Sequence, residues 1–235
     1  MRKPFRFKQF DIFQDQTAMK VGTDGVLLGA WANLKNGNKI LDIGTGTGLI
    51  SLMLAQRFKN ANIDAVEIDL DAYNQAKENF LNSKFQDRIT IHQGAIQTFD
   101  FSSKYDLIVS NPPFFIKNDR VEVDARKLAR QQETLTFSEL LEKTSLLLSV
   151  NGLASFIIPF DLEDEFIEIA KQFNLYSNKI LHVKGNYESI VKRSLIELSF
   201  NQVDKIDVLE LVVESSRHCY TEDYINLTKD FYLKM

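Results

Sequence analysis

The chain has 235 residues, 44% hydrophobic and 26% charged, which excludes an intrinsically disordered protein and leaves room for one α/β domain of ordinary size. No apolar run approaches the roughly 18 residues that cross a bilayer, the opening MRKPFRFKQF lacks the apolar core of a signal peptide, and the lone cysteine, Cys219, has no internal disulfide partner and fits a reducing cytoplasm. A formal net charge of −4 weighs against a nucleic-acid partner, which asks for Lys and Arg, although Arg2, Lys3, Arg6 and Lys8 crowd one end and Lys179, Lys184, Lys192 and Arg193 punctuate the other.

No repeat, low-complexity tract or proline-rich linker interrupts the chain. An apolar helix is expected over Val26–Trp31, with Thr23 or Asp24 as its cap. Lys39–Ile43 (KILDI) reads as a buried strand ending in glycines, followed by a helix over Leu49–Phe58. Ile63–Ile68 is the next strand and Asp71–Asn82 the next helix, with Asp69 or Asp71 near its start. Ile89–His92 and Tyr105–Val109 are strands, Glu133–Leu148 a long amphipathic helix, and Leu153–Ile158 a further buried strand. Strand and helix alternating at this spacing predict a parallel sheet with helices on both faces. Beyond Pro159, a helix over Leu162–Phe173 precedes strand-like Ser194–Phe200 and Asp207–Val213, which predicts an antiparallel excursion at the sheet edge.

The segment Leu41-Asp42-Ile43-Gly44-Thr45-Gly46-Thr47-Gly48-Leu49 lies where the first long strand turns into its helix, the place where an open α/β sheet binds its ligand. Its spacing is G-x-G-x-G, unlike the G-x-G-x-x-G of dinucleotide enzymes, and no Gly-Lys-Ser/Thr follows as in a P-loop. Asp42 before the loop would repel a pyrophosphate and suits a ligand carrying a positive charge. S-adenosylmethionine has a sulfonium and an α-ammonium and no phosphate. Glu67, followed by Ile68, ends the second strand, where an acid accepts hydrogen bonds from both ribose hydroxyls. Loop, Asp42 and Glu67 together resemble the cofactor site of class I methyltransferases. One departure from that pattern is Ala95, which stands after the third strand where an acid often holds the cofactor adenine. Backbone groups around Ala95 and Ile96 are the substitutes available.

The strand Tyr105–Val109 runs into Ser110-Asn111-Pro112-Pro113-Phe114, at the same carboxyl edge as the glycine loop. The tetrapeptide resembles the Asn-Pro-Pro-Tyr/Phe motif of amino and amide N-methyltransferases. An adenine amino group is planar, with its lone pair delocalised into the ring, so it is a poor nucleophile. Two acceptors receiving both N–H bonds favour a more tetrahedral nitrogen. By the resemblance these are the Asn111 side-chain oxygen and the Pro112 carbonyl. The consecutive prolines stiffen the turn, and Phe114 stacks on a base swung out of its helix. No general base is needed, so His92, His182 and His218 read as ordinary strand or loop residues.

Asn-Pro-Pro motifs also serve enzymes acting on DNA adenine, rRNA guanine or a protein glutamine amide. The ends of the chain narrow the choice. Ala18-Met19-Lys20-Val21-Gly22-Thr23-Asp24-Gly25 near the start and Lys229-Asp230-Phe231-Tyr232-Leu233 near the finish, with the core motifs, resemble the bacterial tRNA1(Val) adenine-37 N6-methyltransferases over nearly the whole chain. The resemblance implies a Rossmann-like class I fold with a seven-stranded, mostly parallel sheet. It implies one domain, with residues 1–36 covering the cofactor and facing the substrate and residues 37–235 forming the catalytic sheet. S-adenosylmethionine is the implied cofactor, held by Thr23, Asp24, Asp42, Gly44, Thr45, Gly46, Gly48, Glu67, Ile68, Ala95, Ile96 and Asn111. Asn111, Pro112, Pro113 and Phe114 are the implied catalytic group. A tRNA is the implied partner of a cytoplasmic monomer without a metal. Arg126, Lys127 and Arg130 either meet phosphate or lace the following helix with Glu133.

Overall fold

The structure, a computed structural model, describes residues 3–17, 19–99, 101, 103–112 and 135–234. Strands β1 (Phe5–Arg6) and β2 (Asp11–Ile12) form a small antiparallel pair near the start of the chain. The main sheet holds β3 (Lys39–Ile43), β4 (Asn62–Glu67), β5 (Ile89–Gln93), β6 (Tyr105–Ser110), β7 (Leu148–Pro159), β8 (Tyr176–Asn186), β9 (Val191–Ser199), β10 (Asp207–Ser216) and β11 (Cys219–Tyr220). Its order is β11-β10-β8-β9-β7-β6-β3-β4-β5. The run from β5 to β8 supplies the expected seven strands, and β10 and β11 lengthen the sheet beyond them. β9 runs antiparallel inside the sheet, between β7 and β8, and β11 pairs antiparallel with β10 at the edge. β10 returns parallel to β8.

Helices α1 (Thr23–Trp31), α2 (Leu49–Arg57) and α3 (Leu70–Leu81) cover one face of the sheet, and the helices Phe137–Leu147 and Glu163–Gln172 cover the other. The strand period of two divides the apolar residues between these faces. Ile40 and Leu107 join the cluster with Leu52 and Met53, while their neighbours Leu41 and Ile108 join the cluster with Leu140, Phe156 and Phe166. α2 is buried from Leu49 through Ala55 because the sheet lies on one side of it and α1 on the other.

The two ends of the chain meet on the first face. Phe7 bridges to Tyr232, and the Lys8 N–H donates to the Phe231 carbonyl at 2.8 Å. Phe7, Phe10 and Phe231 are buried, with Phe7 and Phe10 stacked at 4.8 Å. Burying each such ring contributes about 2–3 kcal/mol. A ladder of two-residue strands offers far less, so ring burial is what fastens the N-terminal segment.

Two element boundaries depart from expectation for local reasons. The helix expected from Glu133 begins at Phe137, because Thr136 and Glu139 close a capping box: the Glu139 N–H donates to the Thr136 hydroxyl and the Thr136 N–H to the Glu139 carboxylate. Strand β7 begins at Leu148 and not at Leu153. A register shift between Tyr105↔Leu148 and Leu107↔Leu153 absorbs the intervening residues.

Candidate active site

Register brings the two motif-bearing turns together. β3 and β6 pair in parallel with Ile43 opposite Ser110, and the Ser110 hydroxyl donates across to the Ile43 carbonyl at 2.8 Å. The next residues, Gly44 and Asn111, therefore leave adjacent strands at one level, with the strands roughly 5 Å apart. A cavity of about 470 Å³ opens there, and its lining includes Gly44, Thr45, Gly46, Thr23, Asp24 and Asn111, with Pro112 and Arg193 at its side. Asn111 is half-buried and Pro112 buried. Pro113 and Phe114, like Arg126, Lys127, Arg130 and Glu133, lie outside the described residues.

The three glycines of the loop divide their work. All have positive φ, +71° at Gly44, +59° at Gly46 and +83° at Gly48, the region that favours glycine. A Cβ at Gly44 or Gly46 would project into open space, so these two leave bare backbone facing the cavity. A Cβ at Gly48 would fall 2.4 Å from the Phe80 ring, so this glycine is there for packing.

Asp42 is fully buried at the end of β3. One carboxylate oxygen accepts from the Thr45 and Ser51 hydroxyls, each at 2.6 Å. The other has no hydrogen-bond partner among the described residues. Burial pushes its carboxyl up to about 6, with Glu67 adding to the rise and the two hydroxyls opposing it. Asp42 does not line the cavity; it braces the loop from beneath. Glu67 accepts from the Gly46 N–H at 2.8 Å and the Asp69 N–H at 3.0 Å. Burial raises its carboxyl too, against the pull of those backbone donors. Each oxygen keeps a lone-pair direction for a further donor.

Ile68, Ala95 and Ile96 stand apart from this cavity, around the ends of β4 and β5. Ile68 is 46% exposed, next to the buried acid Glu67. Ala95 precedes the short helical turn Ile96–Thr98, and Ile96 is buried.

The wall opposite the glycine loop is the segment leading into α1. The cap of α1 is Gly22, with no side-chain hydrogen bond, so neither Thr23 nor Asp24 serves as the expected cap. Both line the cavity, and Asp24 accepts from Arg193 Nε at 2.7 Å. Upstream, α3 supplies the fastening. Asn79 accepts from the Phe13 N–H and donates to the Phe13 and Thr47 carbonyls, all at 2.9 Å. Gln75 accepts from the Gln16 N–H at 3.2 Å, and Gln14 accepts from the Val21 N–H at 2.7 Å.

Arg193, Asn79 and Gln75 escape a reading of the sequence. Arg193 stands among surface cations until β9 is placed beside β7, and only the polar side chains at Gln75 and Asn79, on what becomes a buried helix face, hint at their task. His92 lies 2.9 Å from Asp64, whose other oxygen accepts from Tyr105, and His182 lies 2.9 Å from Glu163. Among the described residues no His, Cys, Asp and Glu cluster suits a metal ion, and no helix is long and apolar enough to cross a membrane.

Comparison with known proteins shows the family. The Methyltransferase small domain family matches residues 17–141. A tRNA1(Val) (adenine(37)-N6)-methyltransferase of Flavobacterium johnsoniae is 53% identical over 98% of this chain and 100% of the relative. Its counterpart in Parabacteroides distasonis is 46% identical over 98% of each chain. A solved structure from Agrobacterium tumefaciens, described as a predicted O-methyltransferase, superimposes with a TM-score of 0.68 at 16% identity. That match covers 88% of this chain and 96% of the other, a likeness of fold.

Proposed function

Because the chain belongs to the Methyltransferase small domain family and, within it, to the tRNA1(Val) (adenine(37)-N6)-methyltransferases, we propose that it methylates N6 of adenine 37 in tRNA1(Val) from S-adenosylmethionine, as a cytoplasmic monomer. The observation that carries this reading is the pairing of Ile43 with Ser110, after which Gly44 and Asn111 line one cavity.

The residues present fit the cofactor. Bare backbone at Gly44 and Gly46 borders a cavity free of the atoms a Cβ would displace. Asp24 and Arg193 place opposite charges in its lining, complementary to the ammonium and carboxylate of an amino-acid tail. Glu67 has lone pairs left for ribose hydroxyls, Ile68 offers apolar surface to the adenine, and backbone groups at Ala95 and Ile96 serve its edge. Asp42 holds Thr45 and Ser51, and through them the loop. Residues 1–36 cover the cofactor and face the substrate, and residues 37–235 carry the catalytic sheet.

When bound, S-adenosylmethionine supplies a methyl group whose bond to sulfur breaks as the bond to N6 forms, the electron pair leaving with sulfur. The chain's own residues prepare the nitrogen. The Asn111 side-chain oxygen and the Pro112 carbonyl accept its two N–H bonds, which directs the lone pair towards the methyl group; Pro113 and Phe114, outside the described residues, belong to the same Asn-Pro-Pro-Phe motif. The nitrogen sheds one proton after transfer, so no base of matched pKa is required. The test is transfer from labelled S-adenosylmethionine into unmodified bulk tRNA, followed by nucleoside analysis. A labelled N6-methyladenosine peak is expected. Label in protein and none in tRNA would move the activity to a glutamine amide.

A further inference from the structure

Next to the site lies a second cavity, also about 470 Å³, whose lining includes Pro159, Phe160, Ile190, Lys192 and Arg193. Arg193 borders both cavities. Strand pairing explains the placement. Ser110 pairs with Phe156 on β7, and β7 runs on to Pro159, which pairs with Arg193 on β9. Phe160 thus follows the end of a strand directly beside the one that delivers Asn111, farther out along the same edge.

Phe160 is 40% exposed, yet it is held. Its ring meets the His182 ring edge-on at 5.1 Å and 88°. His182 Nε2 lies 2.9 Å from Glu163, and the Ser194 hydroxyl donates to the same carboxylate oxygen. His182 and Ser194 are themselves paired across β8 and β9, so two strands and the start of the helix Glu163–Gln172 brace one aromatic ring. Lys192 is exposed, with no ion pair among the described residues, and Asp161 is the acid set against it and Arg193 in the lining.

We infer that this second cavity is a subsite for a nucleotide neighbouring the target adenine, with its base stacked on Phe160 and its phosphate met by Lys192. A braced aromatic face beside an unpaired cation is the combination that binds a single RNA strand without reading its sequence. Lys192 is the cation this cavity offers a phosphate, on a chain whose overall charge is negative. The inference rests on tRNA being the substrate.

Methylation kinetics on transcribed tRNA1(Val) test it, with the cofactor Kd measured alongside. Phe160→Ala and Phe160→Leu are expected to raise KM for tRNA about tenfold, a loss typical of one stacked base. Phe160→Trp is expected to restore it, and kcat and the cofactor Kd stay close to those of the natural chain. Lys192→Gln is expected to lower the slope of log KM against log salt by about one. An unchanged KM in Phe160→Leu with an unchanged salt slope in Lys192→Gln overturns the subsite, as does a loss confined to kcat. Failure of the unaltered enzyme to methylate tRNA at all would instead remove the premise, so the two failures are distinct.

Discussion

On one side of the cavity the glycine loop is held mostly by residues close to it in sequence, Thr45 and Ser51 on Asp42, Gly48 against Thr45 and Gly46 on Glu67 one strand later, with Asn79 on the Thr47 carbonyl as its one longer tie among these. On the facing side, residues 13–17 and 19–25 are held from far along the chain, by Asn79 and Gln75 on α3 and by Arg193 on β9. Loss of tertiary contact therefore releases the second wall while leaving much of the first intact. Opening free energies differ across a fold in this way, and a segment that covers a cofactor which must enter and leave belongs at the weaker end.

The largest expected effect falls on the floor between the walls. Asn111→Ala is expected to lower kcat on the order of 10²–10³-fold, the cost typical of removing one positioned hydrogen-bonding group. The cofactor Kd, read by calorimetry, is expected to hold within a few-fold, since both walls survive. Normal turnover by this variant would sink the catalytic assignment.

The local wall is broken most directly at Gly48. There Ala adds left-handed strain and a collision with Phe80, an expected loss of about 3 kcal/mol in denaturant melts. Gly46→Ala carries only the backbone strain, about 1 kcal/mol, and its expected signature is weaker cofactor binding. Equal stability losses would contradict the division of labour among the glycines.

Asp42 sharpens the same wall by pH. Its carboxyl lies at about 6 when folded, above its usual 3.8, so the folded state binds that proton more tightly than the unfolded state. Its stabilising contribution is complete below about pH 4 and lost as pH rises through about 6. Asp42→Asn removes this dependence, and the stability gap between variant and natural chain is expected to shift in the variant's favour between those limits, on the order of 2–3 kcal/mol. Parallel stability curves from pH 4 to 7 would be the contrary result.

The most local effect is expected at the long-range wall. Asn79→Ala removes three hydrogen bonds to the partly and fully buried backbone of Phe13 and Thr47, about 2 kcal/mol. Amide hydrogen exchange is expected to accelerate across residues 13–25 and stay unchanged in the β3 ladder, with a raised KM for cofactor. Uniform acceleration over both walls would erase the contrast.

Sequence periodicity alone places the strands from Lys39 to Val109 and the helices between them, because each is a buried run or an amphipathic stretch of ordinary length. The glycine loop, Asp42, Glu67 and Asn111 are legible for the same reason: their spacing is local, and a strand that ends in Gly or Asn-Pro announces a turn. β8 is not legible. Its polar and apolar residues make sense only with β9 and β10 on either side, and Lys179 and Lys184 disguise it as surface. Arg193 became a site residue, Phe160 a braced ring and Asn79 a fastening only once β9 folded back between β7 and β8 and the N-terminal segment crossed α3. These contacts join residues about twenty positions apart at Phe160 and His182, 66 apart at Phe13 and Asn79, and 169 apart at Asp24 and Arg193. A pattern with a period of two or 3.6 reports the faces of a segment. Which distant segment meets that face is decided by burial and register in three dimensions.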